Sequence, residues 1–243
     1  MKKVFVLAIG SIFSLHVLPL AAVPPQAKVK SFLEWCQQRN SVPAATKTTI
    51  DRLLVKAGTE DCQRADAKLR INTTSIQYLG PSTREIIDGN GKIRPIIDLR
   101  PIAGLTNITE LVLYQTQVSD LSPLAGLVNL KTLRIQDSYI TDLSPLAGLS
   151  NLKRLDLSKN QIVNLSPLAG LSKLENLTLD FNQIADLQPL AGLSNLKFLR
   201  LSNNKISSLQ PLTGLSQLIS AWFNDNLIGE KVCPMKVAGS CYF

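Results

Sequence analysis

Residues Leu143–Ile162 read LSPLAGLSNLKRLDLSKNQI, and this stretch decides the fold. Its second half carries the pattern L-x-x-L-x-L-x-x-N-x-I. Side chains alternate along a strand, so Leu155 and Leu157 point into an interior while Asp156 between them faces out. The unit recurs: Pro101, Pro123, Pro145, Pro167, Pro189 and Pro211 follow one another at intervals of 22 residues. A fixed period of this length marks a stack of identical supersecondary units. The framework pairs are Leu111 and Leu113, Leu133 and Ile135, Leu155 and Leu157, Leu177 and Leu179, Leu199 and Leu201, then Ala221 and Phe223. Six parallel strands are predicted.

Asn160, Asn182, Asn204 and Asn226 stand where the chain turns inward after each strand. A buried carboxamide there both donates to and accepts from backbone groups that no sheet partner satisfies. The first two units carry Thr116 and Ser138 instead, whose hydroxyls replace only part of that bonding, so looser N-terminal turns are expected. The other half of each unit, such as Ser144-Pro145-Leu146-Ala147-Gly148-Leu149, places Ser before Pro. That order predicts a serine N-cap, a proline in the first helical position and a single 3₁₀ or α turn on the convex side. One unit cannot bury its own apolar face, so each turn depends on its neighbours.

The ends differ from the middle, as the ends of a stack must. Residues 28 to 70 look helical: Phe32, Leu33 and Cys36 share one face, Ile50, Leu53 and Leu54 another, and Gly58-Thr59 reads as a stop followed by a new N-cap. Ile76 and Tyr78 suggest a degenerate first strand, followed by an irregular insertion through Asp88-Gly89-Asn90-Gly91 to about residue 100. Of three possible cysteine pairings, proximity favours Cys36 with Cys62 and Cys233 with Cys241, because the repeats between hold the ends apart. The second pair would clasp the last turn. Residues 1–22 read as an export signal, with Lys2 and Lys3 before an apolar run from Val4 to Leu18 and small Ala21 and Ala22 after it. Leu20 is large for the position it takes in such a site, so cleavage after Ala27 and retention as an anchor are the alternatives to cleavage after Ala22. Export brings the cysteines into an oxidising environment.

Apolar residues make up 45% of the chain and charged residues 18%, which indicates a packed core rather than disorder. The net charge of +8 falls to +6 without Lys2 and Lys3; the basic residues are scattered, and with export this argues against nucleic acid as the partner. After residue 22 no apolar stretch approaches the roughly 20 residues needed to span a bilayer, so no membrane insertion is expected once the signal is cleaved. No cofactor and no metal are expected. The only histidine, His16, lies in the signal, so a mature chain has no imidazole for a Ser-His or Cys-His nucleophile. Carboxylate chemistry through Asp156 and Asp180, on successive strands, is the remaining catalytic reading; a pair on a solvated face is the simpler one. Asp88-Gly89-Asn90-Gly91-Lys92 resembles the start of a calcium loop, but Leu99 occupies the place of the bidentate carboxylate, which favours a turn. Asn72, Asn107, Asn164 and Asn176 begin glycosylation sequons that a repeat rich in Asn, Ser and Thr produces by chance.

The unit with its Pro-Leu-Ala-Gly-Leu segment resembles the internalin-type class of bacterial leucine-rich repeats over residues 98 to 230. The signal, the two-cysteine helical cap and the two-cysteine tail together resemble exported leucine-rich-repeat proteins of cyanobacteria. The resemblance implies an α/β leucine-rich-repeat solenoid, curved, with a parallel sheet on its concave face, short turns on its convex face and a helical N-terminal cap. It also implies a protein partner. The expected organisation is a signal over 1–22, a cap and irregular region over 23–100, the solenoid over 101–230 and a disulfide-closed cap over 231–243. The chain departs from surface-anchored internalins in showing no following immunoglobulin-like module and no anchor.

A ligand on the concave sheet would meet two columns of side chains. The central one runs Val112, Arg134, Asp156, Thr178, Arg200, Trp222, and the one before it Glu110, Thr132, Arg154, Asn176, Phe198, Ser220. Phe198 and Trp222 fall on adjacent strands with Arg200 beside them, and Phe181 sits on a neighbouring turn. Aromatic and arginine side chains are the commonest interface anchors, so Arg134, Arg154, Phe181, Phe198, Arg200 and Trp222 are the candidate contacts. The competing readings are that Trp222 packs under the C-terminal cap and that the arginines are solvated or paired with Asp156 and Asp180. The expected function is an exported, non-catalytic protein-binding module located outside the cell, in the periplasm or on the cell surface. A structural or carbohydrate-associated envelope component is the alternative.

Overall fold

A computed structural model describes residues 29–71, 73–77, 98–234 and 241–243. The signal segment, Asn72, Tyr78 and the Asp88–Lys92 turn lie outside the described residues. The chain opens with three helices, α1 (Phe32–Gln37), α2 (Ala44–Ala57) and α3 (Cys62–Ile71). Then come eight strands: β1 (Ser75–Ile76), β2 (Glu110–Tyr114), β3 (Thr132–Gln136), β4 (Arg154–Asp156), β5 (Asn176–Thr178), β6 (Phe198–Arg200), β7 (Ser220–Trp222) and β8 (Cys241–Tyr242). They form one parallel sheet in chain order, and β2 to β7 pair residues 22 apart. Ile76 thus does belong to a first strand, paired with Leu111. The eighth strand was not expected: after the Cys233–Cys241 bridge the chain pairs once more, Ala221 with Cys241 and Trp222 with Tyr242.

The interior is a continuous file of leucines and isoleucines from β1 to β6 and the turns between them, joined at one end by Phe32, Ile50, Leu53 and Leu69 of the helical cap and ending at the other in Ala221 and Phe223. Three polar ladders satisfy the backbone around that file. In the first, the buried Asn160, Asn182 and Asn204 each donate to three carbonyls and accept one amide of the preceding turn, as the sequence suggests. At the N-terminal end Thr116 and Ser138 instead share a single hydroxyl-hydroxyl bond of 3.1 Å.

The second ladder corrects the capping scheme. Each 3₁₀ turn has proline second; Ser122–Leu124, Ser144–Leu146 and Ser166–Leu168 start at the serine, the others at Arg100, Gln188 and Gln210, and the residue before each is a leucine that caps nothing. The cap comes from two residues ahead of the serine: Asp120, Asp142 and Asn164 accept the amides of Ser122, Ser144 and Ser166 at 2.8–2.9 Å. This is an Asx turn, which an Asp or Asn supplies two residues before the amide it binds. The third ladder lies outside: Asn129, Asn151 and Asn195 each donate to a backbone carbonyl of the preceding turn. In the helical cap, too, the start of α3 is set by Asp61, which accepts the Arg64 amide at 2.8 Å, rather than by Thr59. Gly58 ends α2 in the left-handed region at φ 64, as expected.

The helical cap is bolted to the solenoid through Asp98. The hydroxyls of Thr46 and Thr49 on α2 donate to its carboxylate and its backbone carbonyl, and Arg100 closes on the carboxylate at 2.8 Å. Burial alone would raise the Asp98 carboxyl, but the hydrogen bonds from Arg100, Thr46 and the Arg100 amide outweigh it and hold it below its ordinary value of 3.8. A carboxyl depressed in the folded state contributes stability that is complete above its unfolded value and is lost as the pH falls through its folded one. The stability difference between wild type and Asp98→Asn should therefore be full at neutral pH and shrink below about pH 4. Urea midpoints measured across that range check it; a pH-independent difference would show that the carboxylate is not the bolt.

Candidate binding surface

The six candidate contacts do not converge on one patch. Arg134 reaches Asp156 at 3.4 Å and lies 5.9 Å from the Tyr114 ring. Asp156 is held in turn by the Gln136 amide and by the hydroxyl and amide of Ser158. Arg200 binds Asp180 at 2.7 Å, and Asp180 also accepts the Ser202 amide. Asp156 and Asp180 are thus each committed to separate partners. The pairing of both arginines with the two aspartates matches the simpler reading of those charges. Arg154 is exposed on β4 and has no ion pair among the described residues.

Trp222 is sandwiched. Arg200, Trp222 and Tyr242 are in register on β6, β7 and β8, so the two neighbours flank the indole from opposite sides. The Arg200 guanidinium is 5.4 Å from its ring, and Tyr242 stacks on it at 5.1 Å with 10° between planes. The extra strand brings that tyrosine; Trp222 is as much a part of the C-terminal closure as of any surface. Nothing in an L-x-L pattern announces Tyr242.

Phe198 is 38% exposed and Phe181 51% exposed, but Phe198 opens β6 whereas Phe181 follows the framework pair Leu177 and Leu179 of the preceding strand, β5. Five residues of extended chain, about 16 Å, separate the register positions of the two. Phe181 sits at φ +57, one of a column of left-handed residues whose other members are Gln115, Asp137, Lys159, Asn203 and Asp225. Asn and Asp tolerate that conformation, whereas a bulky aromatic is an outlier in it. Beside Phe181 runs a recess of about 420 Å³, lined by Tyr114, Asp137, Lys159, Asp180 and their neighbours, with the Lys159 ammonium 5.9 Å from the Phe181 ring.

At the opposite edge of the sheet, where strands begin, Glu175 bridges Lys153 at 3.5 Å and Lys197 at 2.9 Å. The hydrogen bond and charge of Lys197 hold the Glu175 carboxyl below its usual range. This edge lies one residue ahead of the column from Glu110 to Ser220, and the same 22-residue spacing repeats it.

Two family models match the repeats: "Leucine Rich repeats (2 copies)" over residues 106–148 and 150–192, and "Leucine Rich Repeat" over 195–224. An internalin C2 from Listeria monocytogenes is 32% identical, covers 70% of this chain and 89% of its own, and superposes with a TM-score of 0.53. The chain belongs to the internalin-like leucine-rich-repeat family. An internalin (inlF) of the same organism is 33% identical over 60% of this chain, with a TM-score of 0.56; this chain spans 46% of its length. A leucine-rich-repeat protein of Leptospira interrogans is 28% identical over 59% of this chain and 37% of its own, at a TM-score of 0.53. No curated protein matches the chain. Leucine-rich-repeat domains are generally protein-interaction modules, and this one keeps their solenoid with a disulfide at each end.

Proposed function

We propose that this leucine-rich-repeat protein is an exported, non-catalytic module that takes a protein partner on the concave face of its solenoid. The observation that carries the reading is Phe181: a half-exposed phenylalanine in a backbone conformation that five other turns fill with polar residues. Such a residue works against the fold locally, and a strained outlier on a recessed surface points to use of its side chain. Phe198 is the second anchor. Arg200 and Trp222 stand beside it as a cation-π pair, while Arg134 and Arg154 lie farther along the sheet on β3 and β4. Export is supported by the two disulfides and by the basic-then-apolar N-terminal segment, in an arrangement that resembles cyanobacterial exported proteins.

The two roles of Phe181 separate in one variant. Phe181→Asn should raise stability by about 1 kcal/mol, because asparagine accepts left-handed φ, and should reduce capture of the partner. The mature chain is immobilised and exposed to envelope extract and medium of the source organism, beside Phe181→Asn and Phe198→Ala. A protein retained by wild type and lost from both variants supports the reading; equal retention by all three refutes it. Co-sedimentation with wall material that ignores both side chains would favour the envelope role instead.

A further inference from the structure

The edge of the sheet where the strands begin carries a charge pattern that the concave aromatic surface does not use. Lys131, Lys153, Glu175 and Lys197 stand in one column on successive turns, each of the last three donating its backbone amide to the carbonyl of the one before. The parallel ladder spaces them by about 4.8 Å. Only Glu175 offsets the column, and it is already shared between Lys153 and Lys197. Lys131 and the adjacent Arg154 have no ion pair among the described residues, and both are exposed. Glu110, at the end of the same recess, is bound by Ser75 and Gln77 at 2.7 Å each. A recess of about 480 Å³ lies over these groups, and a second, of about 230 Å³, adjoins it across Lys153 and Glu175.

Like charges one strand apart repel, and a surface serving only solubility gains more from alternating signs. The geometry points to this edge as the docking site for an acidic segment of a protein partner, whose carboxylates pair with Lys131, Lys153 and Arg154. The assignment rests on the reading of the chain as a protein-binding module. Two features select a polypeptide over a uniformly charged polymer. Glu175 interrupts the cationic column, which opposes an unbroken line of anions but suits carboxylates placed at intervals. Phe198 follows directly on Lys197 and is exposed at the same edge, so an apolar side chain near the carboxylates also finds a place.

The test uses labelled peptides and fluorescence anisotropy on the whole mature chain. One probe is an extended peptide with three glutamates at alternate positions followed by phenylalanine; its control carries glutamine at the three positions. Heparin and phosphatidylglycerol vesicles are the other arms. The acidic peptide should bind, weaken steeply from about 50 to about 300 mM salt, and lose about tenfold or more in affinity in Lys131→Glu/Lys153→Glu, as expected when charge pairing supplies the contact. Lys131→Ala/Lys153→Ala should show a smaller loss of the same sign. Equal binding of the glutamine peptide, no response to charge reversal, or binding of heparin or vesicles without the acidic peptide would overturn the inference. If natural capture still depends on Phe181 and Phe198 while the acidic probe fails, only this edge assignment falls. If the probe behaves as expected while capture ignores the phenylalanines, the concave reading falls instead.

Discussion

Asn182→Ala is expected to cost about 3 kcal/mol of stability, and Asn204, with equivalent bonds, should behave alike. The Asn182 amide donates to the carbonyls of Leu157, Leu179 and Asp180 at 3.0, 3.0 and 3.3 Å, and its oxygen accepts the Ile162 amide at 3.0 Å. All of this lies in the interior, with the residue 9% exposed. Alanine leaves the Ile162 amide without a partner and takes one of two donors from each of the three carbonyls, which keep Asn160, Asn204 and the Lys159 amide; a buried group left unpaired costs about 1–3 kcal/mol, and each lost second bond adds to it. Water entering the vacated space recovers part of that, hence the intermediate figure. Aspartate is no substitute, since a carboxylate accepts but cannot donate to carbonyls. The same substitution at Asn226, whose bonds are partly exposed, should cost about half as much. Urea denaturation of the two variants beside wild type measures both, and a loss at Asn182 no larger than at Asn226 would show that the ladder is not what holds the inward turn.

Removing the Cys36–Cys62 bridge as Cys36→Ala/Cys62→Ala should lower stability by about 3 kcal/mol, from the chain freedom that a closed loop of this length denies the unfolded state. The sequence separation is 26. The loss has a location as well as a size. The bridge ties α1 to α3, and α1 reaches the remaining cap through the Leu33 amide on Asp66 and through Trp35 beneath Arg100. With the tie gone, amide exchange should accelerate in the three helices and β1 first and leave β4 to β6 protected, because a solenoid transmits stability only to its neighbours. The shorter Cys233–Cys241 loop, with a separation of 8, should cost less, about 2.5 kcal/mol, and its effect should fall on β7 and β8. Uniform loss of protection along the chain would mean that the repeats unfold as one unit.

What was legible in the sequence follows from which residues recur. Pro101 to Pro211 place every turn, the L-x-L pairs place β2 to β7, and Asn160 to Asn226 place the inner ladder, because each of these jobs is done by the same residue type once per period. The outer ladder of Asn129, Asn151 and Asn195 recurs equally well and was readable by the same count. The capping role went to serine because Ser-Pro is a familiar helix start, whereas the amide it satisfies belongs to the serine itself and its acceptor is the aspartate two residues back. β8 was out of reach: Cys241–Tyr242 has no apolar pair and follows a disulfide loop, and only the finished sheet edge gives it a place to pair. For the surface, the columns located Phe198 and Trp222, but register alone could not show that Tyr242 covers one and leaves the other open. Nor could it show that Phe181 occupies a left-handed turn.

From Asn160 to Asn226 the inner ladder ties each turn to the next by the same atoms at the same offsets. An excision of 22 residues from the middle therefore rejoins donors to acceptors of identical kind, and a duplication does the same. Length is then a free variable for this architecture: the binding face can grow or shrink by whole turns in descent, while the helices and the disulfide clasp at its ends never register the change.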